Sequence, residues 1–212
     1  MTQKRANAKS RTTERTQARG ELTRDRILAA AVEAFAEKGY QAASTRDVAQ
    51  RAKIDQGLLT YHFPNKDDLW KSAAERIFGA FDRRMEELLV ELDHEDPKKR
   101  AREFVREFVR FSAANPEFFR FMVDEGNLDD DRSKWLVDTY LKKRFETMKE
   151  RGIVRAAGYK VSQAPHVFYS LMGAVQLIFA VAPNCKRLTG LDPAKPKAIE
   201  AHAEFVAHLI VP

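Results

Sequence analysis

The side chains between Ser44 and Lys66 are suited to reading a nucleic-acid duplex rather than to making bonds. Gln56, Thr60, Tyr61 and His62 can project outward from a short helix, while Leu59 and Phe63 face inward. Gly57, in the first turn of that helix, is slim enough to approach DNA. Ahead of it stand Ala49 and Ala52, small residues for a place where two helices cross, and Ile54, an apolar plug for the turn between them. Two short helices joined by a three-residue turn and packed on a preceding helix form a helix-turn-helix, whose second helix enters the major groove.

Other chemistry finds less support. Asp129, Asp130 and Asp131 form an acidic run of the kind a divalent metal uses. Carboxylates ahead of a helix are also favoured by its dipole, and no second acidic motif partners these three. Glu200, Glu204 and His208 share a helix face at four-residue steps, which reads as a solvated face before it reads as a metal site. There is no nucleophile elbow, glycine-rich phosphate loop or HExxH run, so no catalytic residue, metal or cofactor is expected. The single cysteine, Cys185, excludes an intramolecular disulfide and fits a reducing compartment.

The elements that must position the duplex-reading residues are legible as helices. Ile27, Leu28, Ala31, Val32 and Phe35 recur at helical spacing, with Thr23 to cap the start and Gly39 to end the helix after Lys38. Ser44 or Thr45 is placed to cap a two-turn helix carrying Val48, Ala49 and Ala52 on one face. Lys53, Ile54 and Asp55 form the break, and Asp55 caps a third helix over about 56–63, closed by Pro64 and Asn65. Residues 1–20 are polar, without apolar period, and carry Lys4, Arg5, Lys9, Arg11, Arg15 and Arg19, so a disordered basic arm is predicted. Beyond Lys66, longer amphipathic helices are expected at about 66–92, 97–114, 116–125, 131–151, 162–182 and 193–210. The expected fold is all-α: an arm over 1–20, a three-helix helix-turn-helix domain over 21–66, and a helical domain over 67–212.

Charge divides the chain at the same place. Residues 1–66 hold 13 Lys/Arg against 7 Asp/Glu, whereas residues 67–212 hold 24 of each, so the whole net charge of +6 lies in the front third. A basic front meets a polyanion, and a neutral, aromatic-rich back meets something else. No apolar run is long enough to span a bilayer, and no apolar stretch follows the basic N-terminus as in a signal peptide. A cytoplasmic location without a membrane partner is expected.

From Thr23 to Leu69 the chain resembles the DNA-binding domain of the TetR family of bacterial repressors. The most diagnostic run is Gly57-Leu58-Leu59-Thr60-Tyr61-His62-Phe63-Pro64-Asn65-Lys66-Asp67-Asp68-Leu69, similar to the family's glycine, hydrophobic pair, aromatic, His-Phe, then Lys and Leu. Two departures stand out. Lys53-Ile54-Asp55 occupies the turn where the family often has Gly-Val-Ser, and Thr60 stands where it often has Tyr, with Tyr61 next to it. Carried over residue by residue, the resemblance implies phosphate contacts from Thr45, Tyr61, His62 and Lys66, and groove contacts from Arg46, Gln56, Gly57 and Thr60. The physics is compatible, because Arg and Gln bond guanine and adenine edges bidentately, each worth about 1–3 kcal/mol of discrimination. A hydroxyl beside exposed helix-start amides, or an ammonium, suits a phosphate. His62 has a second reading as a structural histidine packed between helices, and Tyr61 as a partly buried aromatic. The arm's arginines either enter the minor groove or, the favoured reading, add sequence-independent attraction.

The resemblance further implies an effector-binding and dimerisation domain over 67–212, with two copies of the chain pairing through the last two helices on a palindromic operator. Val167, Leu171, Val175, Ile178, Phe205 and Leu209 supply apolar content that one small domain need not bury alone. Aromatic residues crowd this region, with Phe104, Phe108 and Phe111 on one helical face, where the default reading is core. A pocket between helices is the sharper alternative, lined by Met85, Phe108, Met122, Trp135, Tyr169, Met172 and Gln176 and suited to a hydrophobic or aromatic small molecule. The leading expectation is a sequence-specific regulator, a repressor released by a small-molecule effector. The competing one is a helical ligand-binding or metal-dependent enzyme whose basic front is incidental.

Overall fold

A computed structural model describes the backbone of residues 2–150 and 152–212 and the side chains of 17–150 and 152–212. The described residues form helices without strands and divide into two units, Met1–Arg76 and Ile77–Pro212.

The first unit is built on α1 (Thr2–Ala42), α2 (Thr45–Ala52), α3 (Gln56–His62) and the first turns of α4 (Lys66–Glu91). Ile27, Ala31 and Phe35 of α1, Val48 and Ala49 of α2, Leu59 of α3, Phe63, and Leu69 and Trp70 of α4 are all buried. Full burial of each large aliphatic side chain contributes about 1.5–3 kcal/mol, so this small unit has a real core. Ion pairs fasten its outside: Lys38 to Asp47 at 2.9 Å, Arg51 to Glu37 at 2.7 Å and Arg76 to Asp25 at 2.7 Å. The backbone of the segment expected to be a disordered arm is instead helical, because α1 runs back to Thr2. Residues 2–19 contain neither Pro nor Gly, so extending an already anchored helix costs little per residue. The arm's cationic side chains up to residue 16 lie outside the described residues. At the other end Gly39, with φ 71°, breaks the helical path as the spacing predicts.

The boundary between units falls after Arg76, ten residues beyond the expected 66. The first turns of α4 belong with the first unit: Trp70 meets Tyr40 edge-on at 6.4 Å, and Arg24 donates to the Ser72 hydroxyl.

The second unit continues with α5 (Pro97–Ala114), α6 (Glu117–Gly126), α7 (Asp131–Leu136), a π-helical turn over Val137–Leu141, α8 (Lys142–Glu150), α9 (Ile153–Ala156), a 3-10 turn over Val161–Gln163, α10 (Ala164–Ala180), α11 (Ala182–Thr189) and α12 (Pro196–Ile210). Helices α5 and α12 pack along their length and are bridged by Arg106 to Glu204 and Arg110 to Glu200, at 2.8 and 2.7 Å. Phe81 sits at the centre of an aromatic cluster, 4.7–5.2 Å from Phe108, Phe111 and Phe118. The single helix expected over 131–151 is interrupted by the π-helical turn, and α11 fills what reads as a break. Pro183 and Asn184 look like terminators, but a proline in the first turn of a new helix gives up only an N–H that has no helical partner.

Candidate nucleic-acid interface and helical cavity

Capping sets the geometry of the α2-turn-α3 unit. The Ser44 hydroxyl accepts from the Asp47 N–H at 3.1 Å and so is the N-cap of α2, placing Thr45 and Arg46 in its first turn. At the other end Lys53 takes a left-handed conformation, φ 54° and ψ 49°. Its N–H then reaches the Gln50 carbonyl and that of Ile54 reaches Ala49, both at 3.1 Å. Arg26 of α1 donates to the Ala52 and Lys53 carbonyls, holding the turn from below. Asp55 then accepts from the Leu58 N–H at 2.8 Å and starts α3. A Cβ on Gly57 would lie 3.2 Å from the capping Asp55 Oδ1, so the glycine protects the cap as well as keeping the helix slim.

On this frame Arg46, Gln56, Gly57, Thr60 and Tyr61 are exposed, Tyr61 by 82%. Thr45, Gln56, Thr60 and Lys66 line one open cleft with Gln41 and Asn65. The Gln56 Nε2 donates to the Thr45 hydroxyl at 3.1 Å, and the Thr60 hydroxyl donates to the Gln56 carbonyl at 3.0 Å. Lys66 donates to the Gln41 carbonyl at 3.3 Å and lies 4.4 Å over the Tyr40 ring. His62 is half-buried between Tyr61 and Phe63, at 5.3 and 6.5 Å, so one edge packs and one remains accessible. Leu59 and Phe63 point into the core as the spacing predicts. The surface therefore presents hydroxyl, amide, phenol and ammonium groups on a rigid scaffold, which is the equipment of duplex recognition.

Electrostatics reinforces the scaffold. Lys38, with Arg51, holds the Asp47 carboxyl below the usual carboxylate range, and Glu37 with Asp47 raises the Arg51 guanidinium.

The second unit contains a cavity of about 70 Å³ between α4, α5, α6, α8, α9 and α10. Of the seven candidate pocket residues, Met85, Phe108 and Met172 line it. Met122, Trp135, Tyr169 and Gln176 are not among its lining residues. Met122 is half-buried on α6, Trp135 is half-buried against Tyr140, Tyr169 is 73% exposed, and buried Gln176 donates to the Met172 carbonyl on its own helix. Sequence reading missed Phe81, Phe118, Phe168, Met148 and above all Arg144. Arg144 is four residues before buried Met148 and four after buried Tyr140, a spacing that marks it as inward-facing.

Arg144 is buried among the rings of Phe78, Phe81, Phe118 and Tyr140, with its guanidinium carbon 4.6–5.6 Å from their centroids. Its Nε donates to Asp82 at 2.7 Å and its Nη2 to the Phe78 carbonyl at 2.8 Å. Burial pulls the guanidinium below its ordinary value, with Asp82 opposing. Three of the carboxylates considered for metal binding, and the histidine, are engaged elsewhere. Asp130 caps α7 and pairs with Arg132, Glu200 and Glu204 pair with α5, and His208 meets the Glu204 carbonyl.

Residues 27–73 match the model of bacterial regulatory proteins, tetR family. These residues form a DNA-binding domain of the tetR family. The chain is a DNA-binding transcriptional regulator. Among its relatives, the probable HTH-type transcriptional regulator YttP of Bacillus subtilis is 20% identical over 87% of the chain and 90% of the relative. The HTH-type transcriptional repressor NicS of Pseudomonas putida is 31% identical over 49% of the chain and 48% of its own length. A crystal structure of AibR in complex with isovaleryl coenzyme A and operator DNA superposes with a TM-score of 0.68 at 17% identity, covering 90% of this chain and 98% of that one. That likeness is one of fold. No single helix among the described residues is long and apolar enough to cross a membrane.

Proposed function

We propose that this chain is a tetR-family repressor that binds a palindromic operator as a homodimer and leaves it when a small molecule fills the helical cavity. The observation that carries the reading is the capped α2-turn-α3 frame with Arg46, Gln56, Thr60 and Tyr61 exposed on it. Arg46, Gln56, Gly57 and Thr60 read base edges, while Thr45, Tyr61, His62 and Lys66 grip phosphates. Its work is regulation of transcription in the cytoplasm and not catalysis.

The homodimer forms through α10 and α12. Leu177 and Tyr169 of α10 and Phe205 and Leu209 of α12 are each more than half exposed, an apolar surface that a second copy covers. Of the residues named from the sequence, Phe205 and Leu209 lie on this face, Ile178 is half-buried, and Val167, Leu171 and Val175 are buried within the unit and support the face from behind. A two-fold dimer presents two reading helices to two half-sites, which accounts for a palindromic operator. Release follows if the effector binds one conformer of the dimer better than the other, since only differential affinity shifts the equilibrium.

The test is binding to the DNA upstream of the chain's own gene, against a scrambled duplex, across a salt series. The expected result is tighter binding to the native sequence, a stoichiometry of at least two chains and affinity falling as salt rises. Equal affinity for both duplexes, repeated in a selection from random sequences that enriches no motif, refutes specific recognition.

A further inference from the structure

The cavity in the second unit carries an unusual polar feature. Arg144 is about nine-tenths buried, and while its Nε and Nη2 are bonded, its Nη1 has no hydrogen-bond partner. Buried donors without acceptors are costly and rare, and this one belongs to a residue of the cavity lining, closed off as the cavity stands and reachable by a ligand acceptor once the walls move. The surrounding rings satisfy the charge of the guanidinium through their faces, but they offer no lone pair to an in-plane N–H.

The charge of that acceptor follows from the other groups facing the cavity. Asp82 of α4 neutralises Arg144 at 2.7 Å, and Glu86 of α4 neutralises Lys143 of α8 at 2.8 Å. The ionic groups in the lining therefore sum to zero, already paired. A ligand carboxylate placed beside Arg144 would add an uncompensated negative charge next to Asp82, in surroundings dominated by Phe81, Phe108, Phe118 and Met172. A neutral oxygen satisfies the N–H at no such cost. The space of about 70 Å³ admits a small body, and Met85, Met148 and Met172, with flexible thioether chains, let the walls yield to a ring.

Taking the cavity as the effector site proposed above, we infer that the ligand is a small, uncharged, largely apolar or aromatic compound whose carbonyl-type oxygen accepts a hydrogen bond from Arg144 Nη1. Arg144 thereby sets specificity for an acceptor over a plain hydrocarbon and for neutrality over charge.

Three probes of similar body separate these demands: acetophenone, ethylbenzene and benzoate. Binding to the full-length, DNA-free protein is measured by calorimetry, so the outcome does not depend on operator release. Acetophenone is expected to bind about tenfold or more tightly than ethylbenzene, the worth of a hydrogen bond to a charged donor, and more tightly than benzoate. In Arg144→Lys, and in the double variant Asp82→Leu with Arg144→Met, which removes the ion pair as a unit, acetophenone should lose its advantage over ethylbenzene. Tighter binding of benzoate, equal binding of acetophenone and ethylbenzene, or no binding of any probe at millimolar concentration each overturns the inference. A parallel titration of the DNA complex separates the two readings. Acetophenone that binds with the expected preference yet leaves the complex intact refutes effector-driven release while the cavity chemistry stands.

Discussion

Replacing Lys53 by glycine should make the first unit more stable, although nothing is added to its packing. Lys53 is the one non-glycine residue with positive φ among the described residues, and its φ 54°, ψ 49° lie in the left-handed well. That conformation costs an L-residue about 1–2 kcal/mol, which glycine does not pay. Glycine in turn loses about 0.5–1 kcal/mol more conformational entropy on folding. The side chain of Lys53 is exposed and the two bonds of the turn are made by backbone, so they survive the substitution. The difference leaves about 0.5–1 kcal/mol of net stabilisation, or about 2–8 °C for a unit of this size. Trp70 belongs to the first unit and Trp135 to the second, so fluorescence in a Trp135→Phe background reports on the first unit alone during denaturant and thermal unfolding. Lys53→Ala is the control, since it removes the same charge but keeps the strained φ, and it should leave stability near that of the parent. A Lys53→Gly protein no more stable than Lys53→Ala refutes the strain argument.

Other consequences are equally direct. Asp55→Ala removes the N-cap of α3 and should cost about 1 kcal/mol, with weakened operator binding as the reading helix frays, measured by unfolding and by DNA titration. His202, half-buried and bonded to the Ala174 carbonyl at 3.0 Å, is held below its ordinary value chiefly by burial. Its neutral form is favoured in the fold, so the stability it confers is complete above about 6.5 and is lost as pH falls through the depressed folded value. Stability of the second unit should therefore decline from pH 7.5 towards pH 5, and a His202→Gln variant should show a flatter profile over that range. Asp47, held low by Lys38, contributes stability above its unfolded value near 3.9 that disappears as pH falls through the folded one. Asp47→Asn should thus destabilise the first unit at pH 7 by about 0.5 kcal/mol and far less at pH 3, as read by urea unfolding. Leu177→Asp with Phe205→Asp should yield a folded monomer in sedimentation, and an unchanged dimer would place the interface elsewhere.

The first unit was largely readable because its signals are local. Asp55 caps, Gly39 breaks and Ala49 and Ala52 make room, and each acts within a few residues of itself. The cavity was not readable in the same way. Tyr169 and Phe108 are both aromatic residues on amphipathic helices, and only the packing of α4, α5 and α10 decides that one faces solvent and the other the interior. Arg144 sits in the run Lys142-Lys143-Arg144, which reads as surface charge, because arginine is rarely buried without a partner and its partner Asp82 is 62 residues away. Residues 2–19 failed for the opposite reason. Their composition lacks a core-forming period, yet an adjoining anchored helix needs no period to continue.

The π-helical turn over Val137–Leu141 gives the chain one residue more than an α-helix would use to cover the same rise. At 100° per residue, Arg144 would stand about 80° around the axis from buried Leu136 after eight regular steps. The surplus residue makes those eight steps count as seven, and the two side chains come within about 20° of one another. Shortening the chain by Thr139, an exposed residue inside the turn, would heal the helix into regular α geometry and leave both flanks in place. The turn thus absorbs one residue of chain without turning Arg144 away from the face that Leu136 marks, so length at this point is a variable that the orientation of Arg144 does not feel.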